Sequence, residues 1–267
     1  MNIIFTFIQY ISIMRFIFLL FVSVCLHSSV NGQPKAYTLA NAHSHNDYLQ
    51  SKPLTSAFQA GFGSIEADIF PVNGDLLVAH TDKELDPSRT LKTLYLNPLK
   101  KLLKGRAEEL QLLIDIKTDT KTSMDLLIKQ LQPLKKYLST LEKKGKLKIV
   151  MTGKIPLPEN YSDYPDYIFY DHDLKQTLKE QQWKRIGMVS VNFKNYSKWK
   201  GKGKVAPEEL DKMKDAIGQA HLKNKPFRFW GMPDQSQSWS LQKALGTDWI
   251  GTDHIDALKV FISEQKR

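Results

Sequence analysis

The residues best suited to chemistry fall in four short stretches: His43 and His45 in AHSHNDY, Glu66 and Asp68 in GSIEADIF, His80 at the end of DLLVAH, and Asp115 with Lys117 in LQLLIDIK. Glu66 and Asp68 are two residues apart in an apolar, β-rich run, so on one strand both project from the same face. Two carboxylates pointing inward are costly unless something cationic lies between them. A hard divalent ion, Mg²⁺ or Ca²⁺, held by Glu66, Asp68 and Asp115 would meet that cost with the oxygen ligands such ions prefer. The blander arrangement pairs these carboxylates with Lys117 and other lysines as a buried ion network. Histidine titrates close to neutrality, which suits proton transfer. Two histidines flanking a phosphorus would serve, one activating the attacking hydroxyl and the other protonating the leaving oxygen, while Lys117 and the ion offset charge on the non-bridging oxygens. His43, His45 and His80 are the candidates. His172, His221 and His254 read as packing or surface residues.

Something must bring these stretches to one place. β-rich runs alternate with longer amphipathic stretches throughout, the pattern of a parallel sheet with crossover helices. Eight such runs are readable: residues 36–42, 63–70, 110–117, 147–153, 166–171, 187–193, 226–232 and 248–253. DLLVAH, after the turn VNGD, reads as a hairpin extension of the second strand. Helical periodicity fills residues 121–144, 207–224, 238–246 and 255–265, whereas the connections after the fourth and fifth strands look too brief for full helices. The expected fold is an α/β (β/α)8 barrel, of phospholipase-C-like phosphodiesterase type by the resemblance drawn below. In such barrels the active site is assembled at the carboxyl ends of the strands. The polar residues singled out above follow or close their apolar runs, and Asp253 with His254 does the same at the eighth.

The first 32 residues carry one charge, Arg15, and from Met14 they have the anatomy of a secretory signal: a cation, an apolar stretch, then small and polar residues ending at Gly32. A membrane anchor is the competing reading. A cleaved signal (1–32) predicts a secreted or periplasmic protein whose single domain covers residues 33–267. The one cysteine, Cys25, lies in that segment, so the exported chain would hold its fold without disulfides. The formal charge of +10 falls to +9 without residues 1–32. Such a surplus favours anionic partners: a small-molecule or lipid head-group phosphodiester, with membrane-surface contact as a further expectation. No nucleic-acid motif is present, and a monomer is expected.

At these residues the sequence resembles the glycerophosphodiester phosphodiesterase family, and within it a branch that reads AHSHNDY where the family usually has His-Arg-Gly, the branch containing altered inheritance of mitochondria protein 6. AHSHNDY, PLTSAFQAGFGSIEADIFPVNGDLLVAH, RTLKTLYLNPL, LLIDIKTD and PFRFWGMPD follow in the family's order and cover most of residues 33–267. The resemblance implies metal positions at Glu66, Asp68 and Asp115, a second catalytic histidine at His80, Lys117 facing the phosphate, and His43 as the first catalytic histidine, with His45 competing for that role. Ser44 stands where the family has its phosphate-contacting arginine. Of the aromatic residues Tyr48, Tyr95, Phe193 and Trp230 near strand ends, Trp230 is the best candidate to seat a head group. Two other functions fit parts of the pattern: a zinc amidohydrolase-type metal hydrolase with His43 and His45 as ligands, and a non-catalytic binding barrel.

Overall fold

The computed structural model describes Pro34 and residues 36–264. The expected signal segment, residues 1–32, lies outside the described residues. Gly32–Arg267 form one compact unit, and among the described residues every core residue falls within it. Among the described residues no helix is long and apolar enough to cross a membrane.

Nine strands are described: β1 (Ala42–Ser44), β2 (Ser64–Val72), β3 (Asp75–Val78), β4 (Leu110–Ile116), β5 (Leu147–Gly153), β6 (Ile168–His172), β7 (Ile186–Asn192), β8 (Phe227–Trp230) and β9 (Ile250–Thr252). Eight run parallel in the order β8-β7-β6-β5-β4-β2-β1-β9, and β3 is an antiparallel extension of β2. A bridge between Arg228 and Trp249 joins β8 to the start of β9, so the sheet nearly closes on itself. The fold is a (β/α)8 barrel. Asn73 and Gly74, both at positive φ, make the tight turn from β2 to β3, the conformation an Asn-Gly pair is chosen for.

The helices are α1 (Thr55–Ala60), α2 (Asn97–Leu102), α3 (Thr120–Leu131), α4 (Glu180–Lys184), α5 (Pro207–Leu222), α6 (Ser236–Leu245) and α7 (Ile255–Glu264). The brief connections are found where expected: β5 is followed by a 3-10 turn at Pro158–Asp163 and β6 by the short α4. The helix expected over 121–144 stops at Leu131 and tightens into a 3-10 segment containing Pro133, whose ring removes a donor the α-helix would need.

The first strand also differs. Residues 36–41 are not strand, because Thr38 and Asn41 close a capping box around a 3-10 turn at Leu39–Asn41, and β1 begins only at Ala42. His43 is therefore inside the strand rather than beyond it.

Strand side chains alternate, and that period of two layers the barrel interior. Leu113, Val150, Phe169 and Met188, one from each of β4 to β7, form a plug with Trp249 packed against it. Two residues further along the same strands stand Asp115, Thr152, Asp171 and Ser190, so the layer above the apolar plug is polar and faces the carboxyl-end mouth.

Candidate active site at the barrel mouth

Within AHSHNDY each polar side chain has its own task. His43 is fully buried, with Nε2 2.8 Å from Glu66 Oε2 and Nδ1 2.8 Å from Ser64 Oγ, which also accepts from Gln111 Nε2. Burial first, and the nearby Arg228 guanidinium, lower its pKa to about 4 against the pull of Glu66. His43 is thus a neutral imidazole donating from Nε2, with both nitrogens engaged beneath the mouth. Ser44 donates to Asp47, whose buried carboxylate also accepts from the Leu54 amide and Tyr95 Oη and so fixes the loop after β1. Asn46 takes the left-handed conformation at φ +46 that Asn tolerates, and turns the chain out of the strand.

His45 is the histidine of this pair that reaches the cavity. Its Nδ1 lies 2.8 Å from Asp253 Oδ1, which also accepts from Asn46 Nδ2 at 3.3 Å. Burial alone would lower the His45 pKa, but the Asp253 hydrogen bond and the Glu66 charge outweigh it and hold it above the ordinary value. The bond to Asp253 fixes the proton on Nδ1 and leaves Nε2 for the cavity. His80, two residues beyond β3, is half exposed; its Nδ1 lies 3.1 Å from Tyr48 Oη and 3.5 Å from Asp68 Oδ2.

Glu66, Asp68 and Asp115 bring one carboxylate oxygen each within 4.8 Å of one another, from the adjacent strands β2 and β4. Lys117 Nζ bridges Asp68 Oδ2 at 2.7 Å and Asp115 Oδ2 at 2.6 Å. Although burial opposes its charge, those two carboxylates raise the Lys117 pKa. Arg228 Nη1 sits 3.1 Å from Glu66 Oε2. Burial would push Glu66 up, yet Arg228 and the His43 N–H hold it well below the usual carboxylate range. Asp68 goes the other way, raised by burial and by the neighbouring Glu66.

The ion network anticipated from sequence therefore exists, but it is incomplete. Asp68 Oδ2 accepts from Tyr48 Oη at 2.7 Å and from Lys117, while Asp68 Oδ1 is buried with no partner. Buried carboxylate oxygens are rarely orphaned. Three converging hard oxygens with one orphan fit a divalent ion, and this cluster could hold one.

The cavity over these groups has a volume of about 540 Å³ and is lined by His45, Glu66, Asp68, His80, Asp115 and Lys117, together with Asn46, Thr152, Asp171, Ser190, Arg228 and Trp230. Seven of the eight residues expected from sequence are brought together there; His43 lies outside the lining. Trp230 is 45% exposed at the edge, whereas Tyr48, Tyr95 and Phe193 are buried. Tyr48 nonetheless serves the site by linking Asp68 to His80. Sequence reasoning passed over Arg228 and Asp171. Asp171 accepts from Thr152 Oγ1 and Ser190 Oγ, and burial raises its pKa to about 7.

Residues 35–110 match the family described as the AIM6-like phosphodiesterase domain. The chain resembles that branch. It is 28% identical over 265 residues to the altered inheritance of mitochondria protein 6 homolog of Arthroderma benhamiae, an alignment covering 81% of this chain and 82% of the relative. It is 27% identical to altered inheritance of mitochondria protein 6 of Kluyveromyces lactis, over 84% of this chain and 72% of that one. The AIM6-like match takes in His43, His45, Glu66, Asp68 and His80 but ends before Asp115, Lys117 and Arg228. Together, match and barrel describe a phosphodiesterase-like protein.

Proposed function

We propose that this barrel is a metal-dependent phosphodiesterase acting on a glycerophosphodiester or phospholipid head-group type of substrate. The observation that carries the reading is the orphaned Asp68 Oδ1 inside a three-carboxylate cluster, flanked by two histidines whose Nδ1 atoms are engaged. Glu66, Asp68 and Asp115 would hold Mg²⁺ or Ca²⁺. Against their three charges stand Lys117 and Arg228, an excess of one negative charge that a dication turns into one positive charge, matched to a monoanionic phosphodiester. When bound there, the ion supplies Lewis-acid stabilisation to a non-bridging oxygen.

The chain's own groups do the rest. His45 takes the proton of the attacking hydroxyl at Nε2, and Asp253 stabilises the imidazolium that forms, as the carboxylate of a catalytic triad does. His80, with Nδ1 held by Tyr48, delivers a proton to the leaving oxygen. Lys117 and Arg228 donate to the phosphate oxygens, Arg228 supplying from β8 the guanidinium that Ser44 lacks. Trp230 and the Thr152–Asp171–Ser190 wall seat the head group.

Chelation tests the metal directly. Activity on a panel of phosphodiesters should vanish in EDTA and return with Mg²⁺ or Ca²⁺, and undiminished turnover after thorough chelation sinks the assignment. A zinc hydrolase built on His43 and His45 is disfavoured because His43 offers no free nitrogen. Export rests on residues 1–32, and amino-terminal sequencing of the native protein should begin near Gln33.

A further inference from the structure

The rim of the mouth carries charge and apolar surface that the chemistry at its floor does not use. Between β7 and α5 the segment from Lys194 to Lys204 holds five lysines and no acidic residue, and all five are exposed. A lysine-rich loop is ordinarily a solvated, mobile segment, but this one is fastened down. Gln235 Nε2 donates to Gly201 O at 2.8 Å, and Gly201 packs so close, at φ +89, that a Cβ there would lie 1.8 Å from the same nitrogen. Trp199 Nε1 donates to Gly203 O at 3.1 Å. Ser197 Oγ donates to Glu209 Oε2 at 2.6 Å, staking the loop to α5. The anchor at Gln235 belongs to the same β8–α6 connection that follows Trp230. Concentrating like charges on a fixed loop costs self-repulsion, which solubility alone does not require.

Three exposed apolar side chains occupy the same rim: Leu49 after β1 (66% exposed), Leu157 after β5 (61%) and Trp230 at the end of β8 (45%). Single exposed apolar residues mean little, but here three separate loops present them around one cavity. We propose that the mouth docks on an anionic lipid bilayer, with the lysine loop lying against the head groups and Leu49 and Leu157 entering the interface. Combined with the function proposed above, this makes the substrate a lipid phosphodiester drawn from that surface; the docking itself does not depend on that function. A nucleic acid would satisfy the lysines equally well but would have no use for the two leucines, and for that reason the bilayer is the better fit.

Each lysine brought to an anionic leaflet strengthens binding about fivefold, and salt screens the effect over roughly 8 Å at physiological strength. The test uses the chain from Gln33 onward, which contains the whole barrel and its core. It should sediment with vesicles enriched in phosphatidylglycerol, release in high salt, and ignore vesicles of phosphatidylcholine alone. Replacing Lys198, Lys200, Lys202 and Lys204 together with Gln should weaken that binding roughly 600-fold, with turnover of a small soluble phosphodiester unchanged. Leu49→Gln with Leu157→Gln should weaken it further at constant charge. His80→Ala should bind vesicles as the parent does, and a parent protein that docks yet turns over no phosphodiester indicts the proposed chemistry and leaves docking standing. Equal binding to both vesicle types, no loss in the lysine variant, or RNA duplex bound as tightly as the anionic vesicles would overturn the proposal.

Discussion

His43 and His45 differ by two positions and by one layer of the barrel. Both point inward, as residues two apart on a strand must. The deeper one is locked between Ser64 and Glu66, and the shallower one meets the cavity. His45→Asn should therefore lower turnover about a hundredfold to ten-thousandfold with an unchanged melting temperature. His43→Ala should lower stability by about 2–3 kcal/mol, since it strips one partner from a buried carboxylate and leaves a void. Steady-state kinetics and thermal melts on both variants check this, and the opposite pattern would restore His43 to the chemistry. The pair was legible in the sequence, but its depth was not, because depth depends on where β1 begins and the capping box at Thr38 and Asn41 moves that point. Arg228 was hidden for another reason, being a single polar residue within an apolar run, and Asp171 closes its run beside His172 and Asp173 without a partner nearby in sequence to single it out. The available signal was periodicity, since Asp171 lies two positions beyond the plug residue Phe169 and Arg228 two before Trp230.

At the level of elements, the alternation of runs and amphipathic stretches was enough to order all eight barrel strands, and the Asn-Gly turn was enough to foresee the hairpin. Ends were harder, because capping and proline geometry override periodicity, as the stop of α3 at Leu131 shows. One end matters to the site. Gly153 closes β5 at φ +77 directly beside Asp115, and a Cβ there would lie 1.9 Å from Asp115 Oδ1 and 2.6 Å from the Ile116 carbonyl oxygen. No side chain fits without moving that carboxylate or the β4 backbone. Gly153→Ala should cost about 1–3 kcal/mol from the strained backbone alone. It should also weaken Mg²⁺ or Ca²⁺ affinity by displacing Asp115, even though residue 153 supplies no ligand atom. Calorimetric titration with the metal on the folded variant decides the matter; parental affinity would mean that Asp115 does not belong to the metal set.

For the whole molecule, the polar layer over an apolar plug makes stability depend on protonation through groups of opposite sign, His43 and Asp171 among them. His43 is neutral in the folded chain, its pKa lowered from 6.5 to about 4, so its contribution is full above 6.5 and is lost as pH falls toward 4. Burial raises Asp171 from 3.8 to about 7, so its contribution is full below 3.8 and is lost as pH rises through 7. Over the shared range these two slopes offset one another. Asp171→Asn removes one slope while keeping an oxygen to accept from Thr152 and Ser190. The variant should exceed its parent by about 1–3 kcal/mol at about pH 8, converge with it at about pH 4, and lose stability more steeply on acidification. Urea unfolding at both ends of that range measures the difference. Equal stability throughout, or a loss at the alkaline end, would mean that Asp171 is ionised and satisfied in the folded barrel, and that the wall it forms with Thr152 and Ser190 is charged when substrate arrives.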